Sequence, residues 1–243
     1  MDILRRNLAP ISTEAWEEID NEAKQACTKL LTGRKVVAVD GPKGFDFSAV
    51  NLGKLDAKDI KEKDGIAYGV KKTQPLTELR TSFKLNIWEL DNFARGAEDV
   101  DLDPLVEAAH KLARFEDNAI FYGLDVGCIK GLKDSSGHNK LKMPTNYGEA
   151  IMKVGEAVEM MSNEVVSEPY NLIVNSTLWR KLASESKGFP LRNQLENFLQ
   201  GGKVVLSTKI DKAFLIAENE DVKMTLGQDL SIGYQAHDNK EDE

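Results

Sequence analysis

The histidines and cysteines are the residues of this sequence best suited to nucleophilic, acid–base or metal chemistry. His110, His138 and His237 lie far apart in the sequence and none belongs to an HExxH pair. Cys27 could act as a nucleophile with a distant histidine, but its place in an apolar helical stripe favours a packed core thiol. We therefore expect no catalytic residue and no metal site.

Neighbouring carboxylates and glycine-rich turns give no stronger indication of a site. Glu116 and Asp117 are adjacent in a predicted helix, where successive side chains do not face each other, so we expect a solvated helix face. GPKG at 41–44 and GGK at 201–203 are shorter than a phosphate-binding loop and are typical of turns. We find no phosphate-binding motif in the sequence.

Trp88 is the one side chain whose surroundings suggest a ligand. It interrupts a charged stretch that contains Glu89, Asp91 and Arg95. A partly exposed indole can stack on a planar ligand such as a flavin, or anchor a protein contact. Packing in the interior is the alternative. The sequence requires no cofactor, and flavin binding at Trp88 stays open.

The composition is that of an acidic globular protein. The 243 residues, 41% hydrophobic and 30% charged, allow one large domain or two linked subdomains. The formal charge of −8 argues against a nucleic-acid partner. Cys27 and Cys128 are unclustered, as in a reducing cytosol. With no secretory signal and no long apolar run, we expect a cytoplasmic protein without a membrane partner.

Three amphipathic helices stand out. The first begins at a Ser12 or Thr13 cap and ends near Gly33. The second runs over 104–122 and follows Asp103-Pro104, a typical helix start. The third is predicted over about 146–162 from apolar residues at helical spacing.

The other segments favour strands and short helices. Residues 35–80 contain β-prone pieces separated by turns, with too few apolar residues to form a core alone. Residues 79–90 partly alternate, which predicts a strand with Phe83, Leu85, Ile87 and Glu89 on one face. An α/β succession follows: strand 171–175, helices near 179 and over 191–199, then three strands between 203 and 227. The fold class is therefore α+β.

Several strings in this order resemble the family 1 encapsulins, the linocin-type or bacteriocin-type shell proteins. They are NLAPI (7–11), WEEID (16–20), GRK (33–35), GPKG (41–44), LRTSFKLNIWELDNFARG (79–96), FEDNAIFYG (115–123), GGKVV (201–205) and LGQDLSIGY (226–234). The resemblance covers nearly the whole chain and implies the HK97-like fold of tailed-phage capsid proteins.

That resemblance implies a division of the chain. Residues 1–46 would form an N-terminal arm, a helix and the start of a peripheral domain, and 47–80 an extended loop reaching neighbouring subunits. Residues 81–132 and 223–243 would complete the peripheral domain, and 133–222 an axial domain. A loop of the axial domain would line a five-fold pore with Ser184, Glu185, Ser186, Lys187, Gly188 and Phe189.

The resemblance also implies a function. Such subunits self-assemble into an icosahedral compartment and are not enzymes. A C-terminal targeting peptide on the cargo docks between the N-terminal helix and the peripheral domain, which by position would involve Leu31, Arg34, Ile232 and Tyr234. The cargo would be a ferritin-like protein or a dye-decolourising peroxidase, with a role in iron storage or oxidative stress.

Three alternatives remain open at this point. A prophage capsid protein would share the fold, while a hydrolase using Cys27 or a flavin enzyme using Trp88 would not need a shell. The acidic charge and the LGQDLSIGY string favour a protein cargo over DNA. The chain also stops at Glu243, before a final strand that the family usually has, so we expect a separate C-terminal segment to complete the peripheral domain.

Overall fold

A computed structural model describes residues 3–55, 61–144, 146–183, 185–186, 189–237 and 241–242, with the backbone alone at 147, 185–186, 189–191 and 241–242. The helices are Thr13–Leu30 (α1), Ile87–Ala94 (α2), Asp103–Tyr122 (α3), Leu132–Ser135 (α4), Tyr147–Asn163 (α5), Ser176–Leu182 (α6) and Leu191–Phe198 (α7). The strands are Ala38–Asp40 (β1), Ala49–Leu55 (β2), Lys61–Lys63 (β3), Ile66–Tyr68 (β4), Lys71–Pro75 (β5), Leu85–Asn86 (β6), Tyr170–Val174 (β7), Glu185–Ser186 (β8), Phe189–Pro190 (β9), Val204–Leu206 (β10), Phe214–Ala217 (β11), Lys223–Thr225 (β12) and Glu241–Asp242 (β13).

Helices α1 and α3 pack against each other and form the scaffold around the candidate site. The Ser12 side chain caps α1 by accepting a hydrogen bond from the Ala15 amide at 3.2 Å, as the sequence predicts. Small side chains line the contact, which lets the two helices approach closely. They form a buried cluster of Ala26, Cys27, Leu31, Ala109 and Ala113.

Helix α3 is the long helix that the sequence predicts, and it is about 30 Å long. Pro104 lies in its first turn, where its missing N–H removes no helical hydrogen bond, and Gly123 follows its end with a φ of 87°. Phe121, in its last turn, is fully buried. It packs in a cluster with Val36, Ile173 and Ile216, so α3 contacts the sheet that contains β7 and β11.

The central sheet has three strands in the order β10-β7-β11, and β10 is parallel and β11 antiparallel to β7. All five residues of β7, including the polar Asn171, are buried, which shows that both faces of the strand are covered. Helices α5 and α7 contribute to its main core. That core contains Val154, Val158, Tyr170, Leu172, Val174, Leu182, Leu195, Leu199, Val204 and Ala217.

Within residues 47–80, which we call the extended loop, the described strands form two antiparallel pairs, β2 with β5 and β3 with β4. Asp64 and Gly65 connect β3 to β4 with φ values of 54° and 76°, as a tight two-residue hairpin turn requires. Several of its described apolar side chains face solvent, while others such as Val50 and Leu76 are half-buried. The most exposed are Leu52, Leu55, Ile66, Tyr68 and Val70.

The strand prediction over 79–90 is wrong except at two residues. Only Leu85–Asn86 is a strand, and α2 begins at Ile87. The Asn86 side chain accepts a hydrogen bond from the Trp88 amide at 2.9 Å and so caps the helix. Ile87 and Glu89 therefore lie on a helix, while Leu85 is buried on the strand. The backbone of β13 pairs antiparallel with β6.

The predicted domain division and pore loop are not tested by these elements and stay predictions. Within the pore loop, Ser184, Lys187 and Gly188 lie outside the described residues, and the backbone of Glu185–Ser186 pairs with Phe189–Pro190 as a short hairpin. Among the residues described, no helix is long and apolar enough to cross a membrane.

Candidate functional site

The first part of the site is an ion-pair network around Arg34, between α3 and the segment that follows β12. Arg34 Nε and Nη2 donate to the two carboxylate oxygens of Glu116 at 2.7 and 2.8 Å. Its Nη1 donates to Asp229 at 2.7 Å. The hydrogen bonds to Glu116 are the main reason that the pKa of Arg34 is raised. Arg34 therefore fastens residue 229 to the body of the protein.

Asp117 supports this network by binding the turn that carries Arg34. Its carboxylate accepts hydrogen bonds from the amides of Thr32 at 3.1 Å and Gly33 at 2.8 Å. These bonds fix the turn at Gly33–Lys35 that presents Arg34. Burial nevertheless raises the pKa of Asp117, because desolvation outweighs the two backbone bonds.

The second part is a small apolar crevice between α1, β6, α2 and the segment 232–234. Its volume is about 30 Å³, room for about one water-sized guest. Its walls are Ala9, Ile11, Trp16, Ile19, Phe83, Leu85, Leu90, Ile232, Gly233 and Tyr234. A crevice of this kind can accept an apolar side chain from an extended peptide if it widens.

The structure divides the four predicted peptide-binding residues between these two parts. Ile232 and the half-buried Tyr234 line the crevice together. Leu31 is buried with Cys27 and Ala113 in the contact between α1 and α3. Arg34 lies in the ion-pair network, where its guanidinium is already bound by two carboxylates. The predicted role of all four in binding cargo stays a prediction.

Glu116, Asp117 and Asp229 are the members of the site that sequence reasoning missed. The expectation of a solvated face at 116 and 117 is wrong, since Glu116 is 7% and Asp117 2% exposed. Adjacent helical residues point to different sides, and each of these carboxylates has its own partner. Glu116 binds Arg34, and Asp117 accepts from the amides at the start of the turn Gly33–Lys35. The sequence indications of this network were Arg34 in GRK and Asp229 in LGQDLSIGY.

The remaining candidate residues lie apart from this site. Trp88, in the first turn of α2, is 71% exposed, so the interior packing considered as an alternative does not occur within this chain. Cys27 is the buried core thiol that the sequence favours, and burial raises its pKa. A raised pKa leaves the thiol protonated and weakly nucleophilic. Within the described part of the chain, no group of three His, Cys, Asp or Glu residues could hold a metal ion.

Comparison with known proteins gives consistent relatives over the whole length. The family model described as encapsulating protein for peroxidase matches residues 1–243. A type 1 encapsulin shell protein of Rhodospirillum rubrum is 36% identical, over 98% of this chain and 88% of the relative. The type 1 encapsulin shell protein of Mycobacterium tuberculosis is 34% identical, over 98% of this chain and 90% of the relative.

A solved structure extends the likeness to the fold. A virus-like particle from Pyrococcus furiosus superposes with a TM-score of 0.66 at 21% identity, covering 95% of this chain and 91% of that one. The α+β fold of the phage-capsid type that the sequence predicts is thereby confirmed.

Proposed function

The chain belongs to the type 1 encapsulin family of shell proteins, and we propose that it is the structural subunit of an icosahedral nanocompartment that encloses a cargo enzyme. The observation that carries this proposal is the extended loop. This loop exposes Leu52, Ile66 and Val70 to solvent in a single subunit. Such exposed apolar area is costly unless a partner covers it.

Other copies of the same chain are the natural cover. Strand pairs that project from a domain present unpaired edges, and symmetric assembly completes them with identical neighbours. The capsid-like fold supports a closed shell as the outcome. In this proposal the loop over 184–189 lines the five-fold opening.

The crevice at Ile232 and Tyr234 is the best-supported place for the cargo peptide. It is apolar, it lies between α1 and β6, and it borders the segment that Arg34 anchors through Asp229. Each site would bind weakly, and a cargo oligomer that engages several sites would gain avidity. Leu31 lies in the buried contact between α1 and α3, apart from this crevice.

A peroxidase is the cargo class that the description of the family model supports, and a ferritin-like protein is the second candidate. Either cargo would give the compartment a role in oxidative stress or iron storage. The exposed Trp88 is available for a flavin or for a subunit contact. Absorbance of purified particles at flavin wavelengths, with and without Trp88→Ala, distinguishes those two uses.

Co-expression with a dye-decolourising peroxidase that carries its own C-terminal tail tests the cargo proposal. We expect hollow particles by electron microscopy and haem absorbance co-eluting with them. Ile232→Ala should reduce loading, whereas Leu230→Ala, two residues away and outside the crevice, should not. Equal loading by both variants would remove the crevice from the cargo site, and particles filled with DNA would point to a capsid protein instead.

A further inference from the structure

The N-terminal arm segment, residues 3–11, lies against the crevice and holds its outer edge. The Tyr234 amide donates to the Leu4 carbonyl at 2.7 Å, which pairs the arm segment with 232–234. Gly233 permits this approach, since a Cβ there would lie 2.7 Å from the Leu4 oxygen. Ala9 and Ile11 then form one wall of the crevice. The arm segment thus occupies the position that an incoming extended peptide would need.

Arg6 fixes the arm segment through three different groups. Its Nη1 and Nη2 donate to both carboxylate oxygens of Asp20 at 2.7 and 2.6 Å. Its Nε donates to the Ile232 carbonyl at 2.8 Å. The guanidinium carbon lies 4.6 Å from the centre of the Trp16 ring. A carboxylate, a carbonyl and an indole face together make a complete receptor for a guanidinium group.

The bonds that hold Arg6 can exchange. The side chains of Arg6 and Asp20 are 29% and 45% exposed, so solvent and salt screen their attraction. The receptor groups are the Trp16 ring and the Asp20 carboxylate of α1 and the Ile232 carbonyl, so none of them belongs to the arm segment. A second peptide with an arginine beside apolar residues could therefore take the same position.

We propose that Trp16, Asp20 and the Ile232 carbonyl form a guanidinium-binding site that Arg6 fills within the chain, and that an extended cargo peptide carrying an arginine displaces the arm segment to enter the crevice. The arm segment is then a competitor for cargo, and the exposed Asp20 selects a basic peptide. This inference rests on the proposed cargo function, and it adds the chemistry of the peptide and the residue that it replaces.

The test uses a fluorescein-labelled peptide that copies residues 3–11, ILRRNLAPI, titrated by anisotropy into assembled particles. The linked arm segment competes at a high effective concentration, so the intact chain should bind the peptide poorly. Arg6→Ala should bind it roughly tenfold more tightly, and a variant lacking residues 1–11, which keeps the Ser12 cap, at least as tightly. The same peptide with Arg6→Glu should lose this gain.

Asp20→Asn separates the receptor from simple loosening of the arm segment. Hydrogen exchange at the Tyr234 amide should quicken in both Arg6→Ala and Asp20→Asn, while the Leu226 amide, bonded to the Asp40 carbonyl, stays protected. Only Arg6→Ala should gain affinity for the peptide, because Asp20→Asn also removes the carboxylate that binds it.

Two results would overturn the inference. The first is that the intact chain, Arg6→Ala and the truncated variant bind the peptide with equal affinity. The second is that the labelled peptide carrying Arg6→Glu binds as tightly as the unchanged peptide. Circular dichroism of each variant confirms that it is folded. Failure of the cargo function is a separate result, since particles that load no peroxidase could still bind the arm peptide as described.

Discussion

Asp117 is a buried carboxylate that the fold cannot easily replace. It accepts hydrogen bonds from two backbone amides of the turn that begins at Gly33. Buried amides without an acceptor are costly, so this side chain holds the turn and, through it, Arg34. The same burial disfavours its charged form. Asp117 should therefore affect both the free energy of unfolding and the dependence of that free energy on pH.

Asp117→Ala should lower the free energy of unfolding by about 1–3 kcal/mol, because it leaves the Gly33 amide buried without a partner and removes one of the two acceptors of the Thr32 amide, which also donates to the Leu30 carbonyl. Urea unfolding followed by tryptophan fluorescence measures the change. Glu107→Ala, at an exposed position of the same helix, is the matched control and should change stability by less than about 0.5 kcal/mol. Equal effects of the two variants would mean that the turn does not depend on Asp117.

The raised pKa of Asp117 predicts a specific pH dependence. Its proton is held more tightly in the folded state than in the unfolded chain, where the ordinary value is 3.8. The stabilisation is therefore complete below pH 3.8 and is lost as pH rises through the folded-state pKa. Relative to Asp117→Asn, which cannot titrate, the wild-type protein should lose stability over that window, by at most about 1.4 kcal/mol per pH unit. A difference that stays flat from pH 3.5 to 7 would contradict the assigned cause.

Single residues were also the hardest to predict from the sequence. The stripe that places Cys27 in the core was recognisable because helical spacing repeats along α1. The burial of Glu116 and Asp117 was not, because their partners Arg34 and Gly33 lie more than eighty positions away. Long-range pairing of charges leaves no periodic trace in one sequence.

The extended loop is the element whose behaviour depends most on other copies. Leu52, Leu55 and Ile66 are 47, 51 and 67% exposed, so they contribute little to the stability of one subunit. In a shell they would be covered by a neighbour. Substitutions of these exposed side chains should therefore affect assembly of the shell without affecting folding of the subunit.

Replacing Leu52, Leu55 and Ile66 together by serine should abolish particles while leaving the subunit folded, because apolar area is lost only at the contact between copies. Size-exclusion chromatography reports assembly, and circular dichroism reports folding. Asn51→Ser with Thr73→Ser, polar changes in the paired strands β2 and β5, should assemble normally. If the triple variant still forms shells, the loop is not the joining element.

Elements with strong local patterns were predictable, and those that depend on tertiary contacts were less so. Pro104 and Gly123 bracket α3 as the sequence indicates. The strand predicted over 79–90 became a helix after residue 86, because one asparagine caps α2 and the apolar residues suit either period. The crevice at Ile232 joins segments more than two hundred residues apart, and only the family resemblance pointed to it.

For the molecule as a whole, the chain combines a well-packed α+β core with surfaces that a single copy leaves uncovered. The core accounts for folding of the subunit, since β7, α5 and α7 bury a continuous cluster. The extended loop and the family relationship account for assembly. The crevice and the arm segment, which we propose as the cargo site, lie on a subunit of a shell-forming family.

Sedimentation velocity on the purified chain together with the separate C-terminal segment expected from the sequence, combined with negative-stain microscopy, tests the shell assignment most directly. The account predicts closed hollow particles with a mass on the order of a megadalton or more, as expected for icosahedral symmetry. A well-folded monomer that persists at high protein concentration would contradict it.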